Sequence, residues 1–503
     1  MQGRFWLVPV CGRVYIAPMN DDFLTSPAAG REPPLDPEVC RRARLSRDAR
    51  FDGAFYLAVQ TTGIYCRPIC PARAPAEKNV RYFASAALAA QAGFRPCLRC
   101  RPESAPNSPA WNGTSTTVQR ALQLIGQGSL NTGSMGDLAL RLGIGERYLR
   151  KLFERELGVS PQALALNQRL LFAKKLLAET ALPVTEVAYA AGFGSLRRFN
   201  SAVQTQFKLP PTTLRRRRNA GTASVSIELQ LHYRPPYDWD GVLDFFGRHA
   251  IDGVETVAGG SYQRTIIPGG VPGSFRVSPL PGKNALRLEL QLVDRSQLMP
   301  VVARVRRMFD LDANPAAIHA VLGQDPRLAP LLQRIPGIRS TGHWSLYEAS
   351  IRGIVGQQIS TQAARGVLAR LSVAGRRDAQ ASAFSATAVF PAAATIAALE
   401  DADFPMPGRR RETLRALADY CSRREDALEI DALAALKGVG PWTIAMAMMR
   451  GNGDPDTFPL KDLGLEKAWA RLPGPDITLQ HQSANWRPWR SYAANLLWRS
   501  LSL

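Results

Sequence analysis

The sequence has little histidine, few acidic residues and no long apolar segment. It contains 5 His and 42 Asp plus Glu against 63 Lys plus Arg, which leaves a net charge of +21. No apolar run reaches the roughly 18 residues that a membrane-spanning helix requires. The apolar N-terminal stretch has only Arg4 as a positive flank and no clear cleavage site, so a secretion signal is not expected.

These shortages favour a cytoplasmic, nucleoid-associated protein that does not contact a membrane. A positive excess is typical of proteins with a polyanionic partner, most simply nucleic acid, although a generic basic surface gives the same count. A length of 503 residues predicts three or four domains. Met19 is a second candidate start, with residues 1–18 as a loose extension, and the whole of residues 1–35 is predicted to be flexible.

Four of the seven cysteines form two close pairs. Residues 66–70 read CRPIC and residues 97–100 read CLRC, with prolines nearby that favour turns. Such pairs are typical of a tetrahedral zinc site, and two disulfides or unrelated thiols are the alternatives. Zinc is favoured because no secretion signal accompanies the pairs. The predicted ligands of one Zn²⁺ are Cys66, Cys70, Cys97 and Cys100.

Residues 61–70 (TTGIYCRPIC) and 93–102 (GFRPCLRCRP) resemble the N-terminal zinc domain of the Ada alkylation-response proteins. The resemblance covers about residues 36–105 and implies a small zinc-stabilised α+β domain. It implies four thiolate ligands, of which Cys66 accepts a methyl group from a methylated DNA phosphate. Arg67, the next residue, is predicted to contact DNA.

Two helix-turn-helix patterns follow a linker at residues 103–117. Gly143 marks the first turn and residues 192–194 mark the second, and a long helix predicted at residues 161–179 joins the two units. Ordinary helical hairpins are the alternative, but two basic units in succession favour DNA reading. The predicted DNA contacts on the second helices are Arg147, Arg150, Arg197 and Arg198.

Residues 157–161 (LGVSP) and 187–193 (VAYAAGF) resemble the all-α double helix-turn-helix of AraC-type regulators, over residues 116–218. Ada proteins carry this module directly after their zinc domain. The basic run at residues 215–218 ends the module, and it is either part of the DNA surface or a solvated tail. A second linker follows at residues 219–224.

The pattern changes at residue 225. Strict alternation predicts strands at residues 226–231 and 286–292, with a helix at residues 239–249 between them. These elements predict an α+β layer over residues 225–312. The rest of the chain, residues 313–503, is predicted to be mostly helical.

A glycine turn lies between two helical patterns at residues 436–443 (LKGVGPWT). Glycines permit the tight turn, and the amides that follow point at a phosphate. Asp462 follows in residues 458–463 (FPLKDL), and the two segments together resemble the helix-hairpin-helix DNA glycosylases, which place a catalytic Asp at this distance. The predicted DNA contacts of the turn are Gly438, Gly440 and Thr443.

Several other segments resemble the AlkA family of 3-methyladenine-DNA glycosylases over residues 225–503. They are residues 233–239 (YRPPYDW), 254–257 (VETV), 308–315 (MFDLDANP), 351–357 (IRGIVGQ) and 486–492 (WRPWRSY). In that family a TATA-binding-protein-like α+β layer precedes an all-α glycosylase domain. The chain as a whole therefore resembles an Ada–AlkA fusion.

The AlkA resemblance implies a catalytic role for Asp462. Its carboxylate would stabilise an oxocarbenium-like sugar and orient water, and the alternative is that it only caps the helix that follows. Trp442 and Trp498 match base-pocket positions, where an electron-poor base favours aromatic faces, although either could be plain core. Met446 occupies a pocket position that is aromatic in AlkA. Lys461 is interpreted as a phosphate contact or as neutral.

Trp442 also bears on the reaction type. Bifunctional relatives place a Schiff-base lysine at this position, and an indole forms no imine, so a monofunctional glycosylase is predicted. The expected partner is double-stranded DNA, with RNA polymerase as a further candidate, and no organic cofactor is expected. No Pro-Cys-His-Arg motif is present, so a guanine-O6 methyl acceptor is not expected. The alternative function is a methylation-activated transcription regulator with a weak or vestigial glycosylase domain.

Overall fold

The computed structural model describes residues 5–10, 13–18, 36–102, 105, 116–215, 226–374, 388–404, 406–422 and 428–502. The flexible tail predicted at residues 19–35, most of the 103–117 linker, the end of the basic run and the 219–224 linker lie outside these residues. At the N-terminus, β1 (Phe5–Val10) pairs antiparallel with β2 (Arg13–Pro18). The extension predicted at residues 1–18 therefore contains a hairpin, because both segments have the β-branched and aromatic residues that favour strands.

The first domain is a small α+β unit. Its elements are α1 (Pro37–Ser46), β3 (Tyr56–Val59), β4 (Ile64–Cys66), β5 (Val80–Phe83), α2 (Ala86–Gln91) and β6 (Arg95–Pro96). The sheet order is β5-β3-β4-β6, and only the β4–β6 pair is parallel. Since parallel neighbours end at the same edge, the turns after β4 and β6 lie side by side. This topology brings the two cysteine pairs together.

The second domain is all-helical. Its helices are α3 (Thr116–Gly126), α4 (Ser129–Thr132), α5 (Met135–Arg141), α6 (Glu146–Leu157), α7 (Pro161–Glu179), α8 (Val184–Ala190), α9 (Leu196–Phe207) and α10 (Pro211–Leu214). The pairs α5–α6 and α8–α9 are the two predicted helix-turn-helix units. Helix α7 joins them with the bounds expected from sequence, because Ser160 caps its first turn and Pro161 fits the first helical position.

A five-stranded antiparallel sheet forms the next layer. Its elements are β7 (Ile227–His232), α11 (Trp239–His249), β8 (Glu255–Ala258), β9 (Ser261–Ile266), β10 (Gly273–Pro279), β11 (Ala285–Leu292) and α12 (Leu298–Met308). The strand order is β7-β11-β10-β9-β8. The core of this layer continues into the second helix-turn-helix unit, where Phe199 and Val203 belong to the same cluster as Leu229 and Leu288. The regulator-like module is therefore packed on the sheet.

The remaining described chain is helical, as predicted. Its helices are α13 (Pro315–Leu322), α14 (Ala329–Arg334), α15 (Leu346–Val355), α16 (Thr361–Ala374), α17 (Ala393–Ala398), α18 (Gly408–Ser422), α19 (Ile430–Ala435), α20 (Pro441–Ala447), α21 (Leu463–Arg471), α22 (Leu479–Ser483) and α23 (Arg490–Ser500). A π-helical turn, Met448–Asn452, continues α20. The helices enclose two apolar clusters, and the loop that carries Asp462 lies between α20 and α21.

A buried ion network joins the sheet to the helical domain. Arg264 of β9 donates to Glu348 of α15 at 2.8 Å, and Arg352 of α15 pairs with Glu255 of β8 at 2.6 Å. Because removing one partner of a buried pair leaves an uncompensated charge, this network fixes the two layers relative to each other. No helix among the described residues is both long enough and apolar enough to cross a bilayer.

Candidate metal centre and glycosylase site

The four predicted zinc ligands meet in space. The sulfur atoms of Cys66, Cys70, Cys97 and Cys100 all lie within 4.8 Å of one another. A zinc tetrahedron with Zn–S bonds of about 2.3 Å has edges of roughly 3.8 Å, so the cluster fits one Zn²⁺. The disulfide and unrelated-thiol alternatives are not supported, because all four thiols are free and converge on one point.

Backbone amides support the sulfurs. The amide of Arg67 donates to Cys100 Sγ, and that of Arg99 donates to Cys97 Sγ, each at 3.3 Å. Hydrogen bonds with Cys100 and Cys66 lower the pKa of Cys70 to about 7, whereas hydrogen bonds within the cluster and burial raise the pKa of Cys100. Four crowded sulfurs of this kind need a divalent cation to be deprotonated together, because zinc binds thiolates rather than thiols.

The exposure of the sulfurs does not single out an acceptor. Cys66 is 8% exposed and Cys97 and Cys100 are 7% exposed, while Cys70 is half-buried. The assignment of Cys66 as the methyl acceptor therefore remains a prediction.

Arg67 does not lie on the surface, which contradicts its predicted contact with DNA. Its side chain is 4% exposed and donates from Nε to Asp52 Oδ1 at 2.7 Å, with a second bond from Nη2 to Oδ2. It also donates to the Cys100 carbonyl at 3.1 Å. The physical reason is that Asp52, in the turn before β3, supplies a buried counterion for the guanidinium. Arg67 thus holds the two cysteine turns together from inside.

Two buried cations dock this metal domain on the rest of the chain. Lys174 of α7 donates from Nζ to the Cys97 carbonyl at 3.0 Å. Arg234, which follows β7 and is fully buried, donates from Nε to the Asp52 carbonyl at 2.8 Å. Arg234 also donates to the Asp312 carbonyl at 2.6 Å, at the entry to the helical domain. The cysteine cluster is therefore attached to both the helix-turn-helix module and the sheet.

Asp462 is held by three N–H donors. Its Oδ1 accepts from the Leu465 amide at 3.0 Å and from Trp498 Nε1 at 2.9 Å, and its Oδ2 accepts from Trp442 Nε1 at 2.9 Å. The carboxylate does cap α21, as the alternative interpretation proposed. Capping occupies only part of one oxygen, and the two indoles fix the plane of the group. Helix capping and a functional carboxylate are thus compatible at this position.

The indoles and their neighbours are only partly buried. Trp442, Met446, Asp462 and Trp498 all have intermediate exposure, so none of them is plain core. Lys461 is exposed and has a left-handed backbone (φ 64°). The result is a partly exposed carboxyl group that accepts hydrogen bonds from two indole rings.

The glycine turn contains two different glycines. Gly438 has φ 91°, and a Cβ there would meet Thr413 Oγ1 at 2.3 Å, so the fold itself requires glycine. Gly440 has an ordinary φ of −100°, and a Cβ there would meet nothing within 4 Å. The packing of the described residues therefore does not require glycine at position 440. The open space beside Gly440 is consistent with the predicted approach of a DNA phosphate.

The Thr443 side chain faces the interior, so the predicted DNA contact at this position is left to its backbone amide. The side chain is 2% exposed, and its hydroxyl accepts a hydrogen bond from Gln357 Nε2 at 3.0 Å. Gln357 also donates to the Gly438 carbonyl at 2.9 Å. Thr443 therefore stabilises the glycine turn through Gln357, because its side chain lies on the buried face of α20.

The four arginines predicted to contact DNA from the helix-turn-helix units are exposed. Arg147 and Arg150 lie on α6, and Arg197 and Arg198 lie in the first turn of α9. Arg150 forms an exposed ion pair with Glu146 at 3.3 Å, which is weak in water. All four side chains are accessible to a phosphate backbone.

Three family models match separate parts of the chain. The metal binding domain of Ada matches residues 39–103, a helix-turn-helix domain matches residues 138–217, and the AlkA N-terminal domain matches residues 228–345. A protein of Mycobacterium tuberculosis, described as a probable bifunctional transcriptional activator/DNA repair enzyme AlkA, is 41% identical over 501 residues. The alignment covers 96% of this chain and 97% of that protein. The chain belongs to the family of these bifunctional proteins.

Individual relatives cover single modules of this bifunctional family. DNA-3-methyladenine glycosylase 2 of Escherichia coli is 29% identical over 280 residues, which is 53% of this chain and 95% of that enzyme. Among solved structures, the 3-methyladenine DNA glycosylase of Archaeoglobus fulgidus is 18% identical with a TM-score of 0.46, and the match covers 54% of this chain and 96% of that one. The predicted kinship with Ada and AlkA, and the predicted multidomain fold, are confirmed.

Sequence reasoning missed three buried charges. In the metal domain, Asp52 pairs with Arg67 and its carbonyl accepts a hydrogen bond from Arg234. In the helical domain, the guanidinium carbon of Arg450 lies 5.3 Å from the ring centroid of Trp498. Arg234 lies in residues 233–239, which resemble AlkA, but the resemblance implied no role for this residue. Neither Asp52 nor Arg450 carried a signal, because a single charged residue in a sequence does not reveal its burial.

Proposed function

We propose that the chain excises alkylated purines from double-stranded DNA by N-glycosidic hydrolysis. The C1′–N bond of the lesion breaks, and the base leaves with the bonding electrons, which neutralise its positive charge. Water adds to C1′ and gives up a proton. Asp462 stabilises the positive charge that develops on the sugar and orients the water. The observation that carries this proposal is the partly exposed carboxylate of Asp462, which the indoles of Trp442 and Trp498 hold by hydrogen bonds.

The proposed reaction ends at the abasic site. Trp442 occupies the position where bifunctional relatives carry a Schiff-base lysine, and its indole nitrogen is engaged with Asp462. Lys461 precedes Asp462 in the chain and is exposed, and we assign it no part in the chemistry. We expect no covalent product when the enzyme reacts with lesion DNA in borohydride, and a trapped protein–DNA adduct would contradict monofunctional chemistry.

We propose a second, stoichiometric reaction at the cysteine cluster. The sulfur of Cys66 attacks the methyl carbon of a DNA methylphosphotriester, an S–CH3 bond forms, and the phosphodiester anion leaves. Bound zinc supplies the positive charge that keeps the sulfurs deprotonated. The four converging thiols and the match to the metal binding domain of Ada support this proposal.

The methyl transfer is proposed to regulate DNA binding. Four thiolates and one zinc ion carry a formal charge of about −2, and methylation of one sulfur reduces this to about −1, which weakens repulsion from phosphates. The exposed arginines of α6 and α9 then read a promoter, and RNA polymerase is the proposed downstream partner in the cytoplasm. Equal promoter affinity of methylated and unmethylated protein would exclude this switch.

The test compares wild-type protein with Asp462→Asn and Cys66→Ser on duplexes that carry single alkylated bases or methylphosphotriesters. Asp462→Asn should lose base release while duplex binding survives, and Cys66→Ser should lose methyl uptake alone. The alternative, a regulator with a vestigial glycosylase domain, predicts no base release by the wild-type protein. Full excision by Asp462→Asn would contradict the assignment of the carboxylate.

A further inference from the structure

Arg450 is a buried cation behind the proposed active site. It lies in the π-helical turn after α20, is 4% exposed, and donates from Nη1 to the Thr341 carbonyl at 2.6 Å. Within the described residues it forms no ion pair with a carboxylate, and its buried Nε has no hydrogen-bond acceptor. Burial of a charge without a paired carboxylate is costly, so this placement calls for a functional explanation.

Aromatic rings and neutral imidazoles surround the guanidinium. Its central carbon lies 4.5 Å from the ring centroid of Phe245 and 5.3 Å from that of Trp498. His343 lies 5.8 Å and His249 4.4 Å from Phe245, ring to ring, and burial lowers the pKa of both imidazoles far enough to keep them neutral. The surroundings therefore hold the cation by ring faces and carbonyls rather than by an anion.

Asp462 is the anion whose field acts on this cation. Burial lowers the pKa of Arg450 to about 9, and the charge on Asp462 opposes that shift. Trp498 lies between the two groups in the chain of contacts. One ring face packs near Arg450, while its Nε1 donates to Asp462 at 2.9 Å. The same indole thus contacts the buried cation and orients the carboxylate.

We propose that Arg450 is a positioning residue for the glycosylase reaction. It fixes the Trp498 ring so that Nε1 donates its hydrogen bond to Asp462 in the orientation that the reaction needs. Arg450 contacts the Trp498 ring and Trp498 contacts Asp462, so Arg450 acts through the indole. The inference rests on the proposed function, since it concerns the same carboxylate.

The first test is single-turnover base release from a duplex that carries one 7-methylguanine. Arg450→Met should slow release about 100-fold, as small displacements of a reacting group do. The matched control is Arg339→Met. Arg339 is also buried, donates to backbone carbonyls and lies 4.5 Å from the Tyr237 ring, but it has no contact with Trp498 or Asp462. Equal slowing by the two variants would overturn the proposal.

Two further readouts separate positioning from a merely structural role. The loss in Arg450→Met should fall on the single-turnover rate at saturating enzyme while duplex affinity stays at the wild-type value, because the variant misplaces a reacting group and removes no DNA contact. Arg450→Lys, which keeps the charge without the planar stack, should give an intermediate rate. In a Trp498→Phe background the effect of Arg450→Met should shrink at least threefold, and full additivity would show that Arg450 does not act through Trp498.

The experiment remains decisive if the methionine variant does not fold. In that case Arg450→Lys alone is compared with wild-type protein, and an unchanged rate would overturn the proposal. Base release by the wild-type enzyme tests the proposed function separately. Its absence would refute the glycosylase assignment, whereas its presence with an unaffected Arg450 variant would refute only the role of Arg450.

Discussion

The ion pair beneath the cysteine cluster gives the sharpest stability prediction. Asp52→Asn keeps the shape of the side chain and the backbone carbonyl that accepts from Arg234, and it removes only the negative charge. The two partners are 4% and 5% exposed, so the Arg67 cation would remain buried without a counterion. Breaking such a pair costs about 3 kcal/mol or more.

The same loss should appear as weaker zinc binding. Folding of a small metal domain and binding of its metal are linked, so about 3 kcal/mol corresponds to a loss of apparent zinc affinity on the order of 100-fold. The assay is competition for zinc with a chromophoric chelator, together with thermal unfolding of the full chain. Base release should persist, because Asp462 lies in another domain.

Asp48→Asn is the matched control. Asp48 lies in the same loop and pairs with Arg50, whose side chain is 65% exposed, so this pair should contribute less than about 1 kcal/mol. The reasoning is wrong if the two asparagine variants bind zinc equally well.

Three other perturbations probe separate parts of the chain. Trp442→Phe removes the 2.9 Å hydrogen bond to Asp462 Oδ2 and should slow base release by roughly 10-fold or more, with duplex affinity unchanged in a filter-binding assay. Burial raises the pKa of Asp310 from 3.8 to about 7, so the folded state disfavours its charged form. The free energy of unfolding should therefore fall as pH rises from about 4 to about 7. In urea unfolding, the Asp310→Asn variant should not show this pH dependence. Arg197→Ala and Arg198→Ala should each reduce the salt dependence of promoter binding by about one unit of slope, and an unchanged slope would remove that arginine from the DNA surface.

Local signals predicted much of the fold because local physics controls it. Helix α7 begins after a serine cap with proline in its first turn, and both signals are readable in sequence. Alternation located β7 and β11, since a half-buried strand repeats every two residues. Strands β8 and β10 were not predicted, because their pairing with β9 depends on partners elsewhere in the sheet.

For the candidate sites too, some features could be predicted from the sequence and others depend on the tertiary structure. The sequence by itself determined the four sulfur ligands, the position of Asp462 and the exposed basic helices, because residue type and spacing carry that chemistry. Only the tertiary structure decided that Arg67 is an internal brace and that Thr443 points inward. Burial depends on what packs against a residue, and here the partners come from distant segments.

The carboxylate of Asp462 shows the physical reason most directly. Its indole donors are 20 and 36 residues away in the chain, and the arginine behind one of them lies on another turn. The sequence identified the group that we propose performs the chemistry. The tertiary structure decided its orientation and its electrostatic surroundings, because both arise where α20, α21 and α23 pack together.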